Sequence, residues 1–164
     1  MGPAGESGVS RSIGRVEAAA RDLGLAIAIR RFPEGTKTAA DAARAVGCEV
    51  GQIVKSLVFV ADGEPFLALT SGANRADPER LARLLGAFEV RRATPEEARV
   101  ATGFAIGGTP PFGHPMPLRV VVDRDLLAYP ELWAAGGTPD AVFPIEPRRL
   151  LEASGGVPAD FADR

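Results

Sequence analysis

One cysteine, one histidine and only two lysines occur in 164 residues, and each scarcity closes off a class of chemistry. Cys48 alone can form neither an internal disulfide nor a cysteine-based zinc cluster. His114 alone removes histidine-pair catalysis and most metal sites. No apolar run approaches the roughly 20 residues that cross a bilayer. The opening MGPAGESGVS lacks the basic start and apolar stretch of a signal peptide. No GxGxxG leads a strand into a helix, no P-loop pattern occurs, and no serine or cysteine sits in a nucleophile context such as G-x-S-x-G. The expectation is a small cytoplasmic domain without metal or cofactor.

The chain has the length of one domain, and 46% apolar residues suffice for an ordinary core. Its 19 basic and 21 acidic residues leave a net charge of −2, which excludes a generic nucleic-acid binder held by bulk positive charge. Residues 11–44 are locally basic: Arg11, Arg15, Arg21, Arg30, Arg31, Lys37 and Arg44 stand against Glu17, Asp22, Glu34 and Asp41. Charge alone favours reading them as a solvated helix face. Only Lys37 and Lys55 are not arginine among the basic residues. A lysine is a compact point charge with three rotatable donors, so each calls for a local explanation.

Residues 1–9 read as a flexible tail rich in Gly, Pro and Ser, and a first helix is expected over 11–23, stopped by Gly24. LAIAIRRF at 25–32 reads as a strand. Thr38 caps a helix over 39–46 that ends at Gly47. IVKSLVFVA at 53–61 and PFLALTS at 65–71 flank Asp62-Gly63-Glu64 and predict a hairpin. Asp77-Pro78 opens a helix with Leu81, Leu84 and Leu85 on one face. A strand near 88–92 leads into the capping box Thr94-Pro95-Glu96-Glu97. GFAIGGTPPFGHPMP at 103–117 carries four glycines and four prolines and can form no regular element. LRVVVD at 118–123 and AVFPI at 141–145 are strands, the latter the last, and 147–155 is the closing helix. The class is α/β (mixed α+β), with a single domain over 10–155 and a C-terminal tail over 156–164.

Lys55 interrupts an apolar strand, sharing a face with Leu57 and Phe59 by period-two alternation. A lysine there must reach solvent, pair with an acid, or face a cavity where a ligand satisfies it. An edge-strand lysine that discourages aggregation is the plainer alternative. In the 103–117 loop, Pro110, Pro111, Pro115 and Pro117 stiffen the backbone while Gly107, Gly108 and Thr109 keep amide donors. Such a turn can hold an ester or carboxylate oxygen, or simply cross the end of the sheet. His114 lies in the same loop, where a lone histidine is more often structural. Thr70, Ser71 and Asn74 end the second hairpin strand and either line a cleft mouth or make the turn. Asp123 closes a strand and caps a turn at Asp125, and Cys48 reads as a small packing residue.

Read in order, these segments resemble the YbaK/ProX family, relatives of the editing domain inserted in bacterial prolyl-tRNA synthetases. TAADAARAVG at 38–47 precedes QIVKSLVF at 52–59, which carries the family's strand lysine. FLALTSG, ERLARLLG at 79–86 and TGFAIGGTPPFG at 102–113 follow, the last holding a G-x-x-x-P loop from Gly107 to Pro111. VVVD and GTPDAVFPIEPRRLLEASG complete the series, so the likeness spans residues 15–155. Gly113 to Pro117 also satisfies G-x-x-x-P, and the TGFAIGG lead-in favours the first loop.

The resemblance implies a mixed, largely antiparallel curved sheet surrounded by short helices. It also implies a trans-editing hydrolase that removes a small wrong amino acid, such as Ala or Cys, from tRNA for proline by water attack on the ester. Lys55 would then be the catalytic residue. The amides of Gly107, Gly108 and Thr109 would hold the aminoacyl group; Pro110, Pro111, Thr70, Ser71 and His114 join the substrate-binding set by their place in the loop and at the strand end, the family supplying no role for His114. Phe59, Phe104 and Phe112 are further candidate pocket liners by strand parity and loop position. The implied partners are the acceptor end of aminoacyl-tRNA and, as a candidate, prolyl-tRNA synthetase, with neither DNA nor membrane. The alternative is a non-catalytic module that binds the aminoacyl-adenosine end of tRNA or another adenosine-containing ligand.

Overall fold

The computed structural model describes the backbone from residue 4 and side chains from residue 11, both through Arg164. Among the described residues, five α-helices surround one eight-stranded mixed sheet. The strands are β1 (Arg30–Arg31), β2 (Ile53–Ala61), β3 (Glu64–Ser71), β4 (Val90–Arg92), β5 (Arg119–Asp123), β6 (Leu132–Ala135), β7 (Ala141–Ile145) and β8 (Val157–Ala159). Their order is β1-β7-β6-β2-β3-β5-β8, with β4 also paired to β2. Four pairings are antiparallel and three parallel, so the expected mixed class is the observed one.

Local chemistry sets most element ends. Asp62 (φ 49°) and Gly63 (φ 88°) both take left-handed backbone, the requirement of a two-residue hairpin turn with strand-matching twist. Helix α2 (Ala39–Val46) starts where Thr38 accepts the amide of Asp41, and α3 (Pro78–Leu85) where Asp77 accepts that of Glu79. Helix α4 (Pro95–Thr102) starts with a reciprocal Thr94–Glu97 capping box. Helix α5 (Pro147–Ser154) has proline in its first turn and ends at Gly155.

Alternation along β2 separates two cores. Val54 and Val58 pack with Leu67, Leu69, Val122 and Phe143 on one side, the side that Val16 and Ala20 of α1 (Ala4–Asp22) also enter. Phe59 packs with Phe66, Leu81 and Phe161 on the other. A third cluster joins Ala42 and Ala43 of α2 to Ile53, Trp133 and Val142.

Four expectations are corrected. The helix α1 begins at Ala4, so within the segment read as a 1–9 tail only residues 1–3 lie outside the described residues. The strand read over 25–32 shrinks to Arg30–Arg31. Leu25, Ile27 and Ile29 do alternate inwards against the core, but alternation reports one-sided burial and no strand lies beside them to pair with. Leu84 is 45% exposed, leaving Leu81 as the buried member of its trio. Residues 156–164 are not a tail: β8 extends the sheet beside β5, Ala76 and Ala162 bridge, and Phe161 is fully buried. Neither β8 nor the four-residue β6 was foreseen, being too short for periodicity to register.

That last correction is testable. Replacing Phe161 with Ala should lower unfolding free energy by about 3–5 kcal/mol, the usual cost of emptying a buried phenylalanine site. A denaturant midpoint within error of the parent would show that the C-terminal segment does not close the second core.

Candidate active site

The sheet is forked at β2. Along one edge β3 pairs with β2 over its whole length, from Val54–Ser71 to Ala61–Glu64. Along the other edge β6 pairs only with Ile53 and Val54, running parallel, and β4 only with Phe59 to Ala61, running antiparallel. The amide of Ala93 adds a bond to the Val58 carbonyl at 3.0 Å. Between these ends the edge at residues 55–57 has no neighbouring strand among the described residues. Unpaired strand-edge groups require water or a ligand.

The fork opens into a cavity of about 400 Å³. Residues 54–58 of β2 form its floor, with Trp133 to Ala135 of β6 on one side and Arg92, Ala93 and Ala98 on the other. Thr36 to Ala39, with Ala42, bring the start of α2 to its rim, and Ile106, Gly107 and Thr109 bring the glycine-proline loop. Its volume suits a small organic ligand. Among the described residues three cations, Lys37, Lys55 and Arg92, line it and no carboxylate does, so both lysines of the chain border one space.

Lys55 is half-buried and donates from Nζ to the carbonyl of Asn74 at 2.5 Å. It forms no ion pair among the described residues, which leaves N–H donors and a charge for a ligand. Its acceptor is held from below. Asn74 donates from Nδ2 to Asp123 Oδ2 at 2.9 Å and to Asp125 Oδ2 at 2.8 Å. Asp123, fully buried at the end of β5, also accepts the amides of Ser71 and Asp125, both at 3.0 Å. Burial, then the nearby charge of Arg92, pushes the Lys55 ammonium below the ordinary lysine range, with Asp123 opposing and Arg75 adding to the depression.

The other candidate residues divide between wall and support. Gly107 (φ 87°) and Thr109 reach the cavity. The Gly108 amide is engaged by the Ala105 carbonyl at 3.0 Å, which also accepts the Thr109 hydroxyl at 3.2 Å. A Cβ on Gly108 would lie 2.7 Å from Thr138 Cα, so glycine there lets two backbones pack together. Pro110 and Pro111 are buried and do not line the cavity. Thr70 is opposite Lys55 in register but fully buried, its hydroxyl on the Ala68 carbonyl at 3.2 Å. Ser71 is likewise buried, donating to the Gly51 carbonyl at 2.8 Å. His114 Nε2 sits 2.9 Å from the Pro110 carbonyl, with burial pushing its pKa down, and it does not line the cavity. It braces the loop.

Phe59, Phe104 and Phe112 are core residues and none lines the cavity. Sequence reasoning missed Arg92, Trp133 and the alanine wall, which are brought in by elements distant along the chain. Lys37 did carry a signal, as the other lysine in an arginine-rich chain.

Residues 33–153 match the family model described as the aminoacyl-tRNA editing domain. The chain belongs to that family. Its fold agrees closely with a solved structure of a proposed trans-editing enzyme for prolyl-tRNA synthetase, at TM-score 0.89 and 51% identity over 93% of this chain and 98% of that one. The solved protein APE2540 gives a TM-score of 0.84 at 31% identity, covering 91% and 99% of the two chains. Among curated relatives, the proline--tRNA ligase of Nitratidesulfovibrio vulgaris is 37% identical over 92 residues, which are 56% of this chain and 16% of that ligase. The protein YwhH of Bacillus subtilis is 26% identical over 77% of this chain and 80% of its own. This editing domain therefore spans about a sixth of the ligases it matches.

The electrostatics of Lys55 can be read directly, because only two lysines need resolving by NMR. Arg92→Gln removes a charge that disfavours the ammonium and should raise the Lys55 pKa. Asp123→Asn removes one that favours it and should lower the pKa. Shifts of the opposite sign, or none in Arg92→Gln, would place these charges elsewhere than the fork.

Proposed function

We propose that this editing domain is an aminoacyl-tRNA deacylase that acts in trans. Water attacks the carbonyl of the ester joining amino acid to terminal ribose, the carbon–oxygen bond to the ribose breaks, and a proton passes to the released ribose oxygen. The products are free amino acid and uncharged tRNA. The observation that carries the reading is Lys55, which among the described residues has no ion-pair partner and lines, with Gly107 and Thr109, a cavity without a carboxylate.

The arrangement suits hydrolysis without a covalent intermediate. Lys55 orients the terminal nucleotide and stabilises the negative charge that develops on the ester oxygens. The loop at Gly107 and Thr109 holds the acyl group. Ser71 and Thr70 act beneath the site, and Asp123 works through Asn74 as a positioning residue. The substrate reading is tRNA for proline carrying Ala or Cys. It is supported by the proline--tRNA ligase relatives and by Ala42, Ala93, Ala98 and Ala134, whose small side chains shape a compact chamber. Prolyl-tRNA synthetase is the candidate protein partner.

Deacylation of tRNA for proline charged with Ala, Cys or Ser, by the parent and by Lys55→Ala, tests the reading. One species should be hydrolysed, and the variant should lose about 100-fold or more, the scale of removing one transition-state donor, with an unchanged melting temperature. Turnover near the parent's in a folded Lys55→Ala protein would remove Lys55 from the mechanism. Binding of an aminoacyl-adenosine analogue without hydrolysis of any species would favour the binding module.

A further inference from the structure

A second, wider cleft of about 730 Å³ adjoins the cavity, and Lys37 lines both. The dividing ridge is built from residues that turn consecutive side chains to opposite sides. On α4, Ala98 lines the cavity and Arg99 the second cleft; in the loop, Ile106 lines the first and Ala105 the second. Lys37 is held in place by both neighbours. Thr36 donates its hydroxyl to the Pro139 carbonyl at 2.5 Å, and Thr38 caps α2. Its side chain thus starts from a fixed point on the shared wall.

The two spaces together carry Lys37, Lys55, Arg31, Arg92 and Arg99 against Glu34 and Asp140, on a chain whose net charge is −2. Arg31 is committed to Asp140 at 2.9 Å. Lys37 and Arg99 are exposed and form no ion pair among the described residues. A positively charged groove leading out of a pocket is the arrangement that tracks a single-stranded nucleic-acid backbone.

We propose that the second cleft is a phosphodiester subsite, in which Lys37 and Arg99 hold the backbone of the nucleotides preceding the one in the cavity. The choice of RNA as the polyanion rests on the editing reading, but the subsite does not depend on hydrolysis. Lys37 is the hinge of the track, reaching the phosphate that passes over the ridge, and Arg99 takes the next one out.

The test is binding of a fluorescent single-stranded oligoribonucleotide without an aminoacyl group, about six nucleotides long, a length typical of such grooves, across a salt series. Lys37→Gln and Arg99→Gln should each weaken binding several-fold. Each should also flatten the slope of log affinity against log salt by about 0.7, the value for one phosphate contact on a single strand. Arg148→Gln, on α5 and lining neither space, should match the parent. Unchanged affinity and slope in both cleft variants would overturn the proposal. So would an acidic peptide of equal charge that binds as tightly with the same dependence on Arg99. Because the RNA carries no aminoacyl ester, Arg99-dependent binding by a protein that hydrolyses no aminoacyl-tRNA supports the subsite while refuting the deacylase.

Discussion

Strand β2 is paired along the whole of one edge and only at the two ends of the other, and nearly everything functional follows from that constraint. A sheet strand normally exposes its edge or covers it. Here β6 and β4 approach from opposite ends, run in opposite senses relative to β2, and stop short of each other. Three residues of strand edge, 55–57, are thereby left facing a chamber. Backbone polarity and a lysine are thereby delivered into an apolar interior by rigid elements rather than by a loop, which is how a site is kept in a fixed geometry.

The chamber's electrostatics come from a separation of charges across the sheet. Asp123 and Asp125 lie under the turn at 71–74 and are satisfied by backbone amides, Asn74 and Arg164. Lys55 touches that acidic group only through a neutral carbonyl. The carboxylates thus fix the position of the ammonium without neutralising it. A direct ion pair would have consumed the charge, and a lysine without the carbonyl would have been free to snorkel outwards. Placing the peptide group between them keeps the lysine both held and hungry for an anion.

The glycine-proline loop contributes differently from what its composition suggests. Glycines and prolines mark a stiff turn with exposed amides, and Gly107 and Thr109 do reach the chamber. Gly108 instead supplies close packing against Thr138, and Pro110 and Pro111 form the buried base, with His114 on the Pro110 carbonyl. One motif therefore divides into a face and a foundation. Thr70 and Ser71 repeat the pattern, near the site in sequence and register but directed into the interior.

What is local can be read from the residue order: the hairpin at Asp62-Gly63, the caps at Thr38, Asp77 and Thr94, the irregular loop, and the oddity of two lysines among arginines. These depend on backbone dihedrals and on hydrogen bonds a few residues apart, which adjacent residues dictate. Alternation also showed that Lys55 lies on an apolar face, though not whether it meets solvent, an acid or a cavity. Tertiary structure decided that, because the answer depends on where β6, β4, α2 and α4 end around it. It likewise decided the inclusion of residues 156–164, the burial of Phe59, Phe104 and Phe112, and the meeting of Lys37 with Lys55. Contacts between residues far apart in the chain leave no periodic trace in the sequence. They arise only when a shared core forces distant elements to pack.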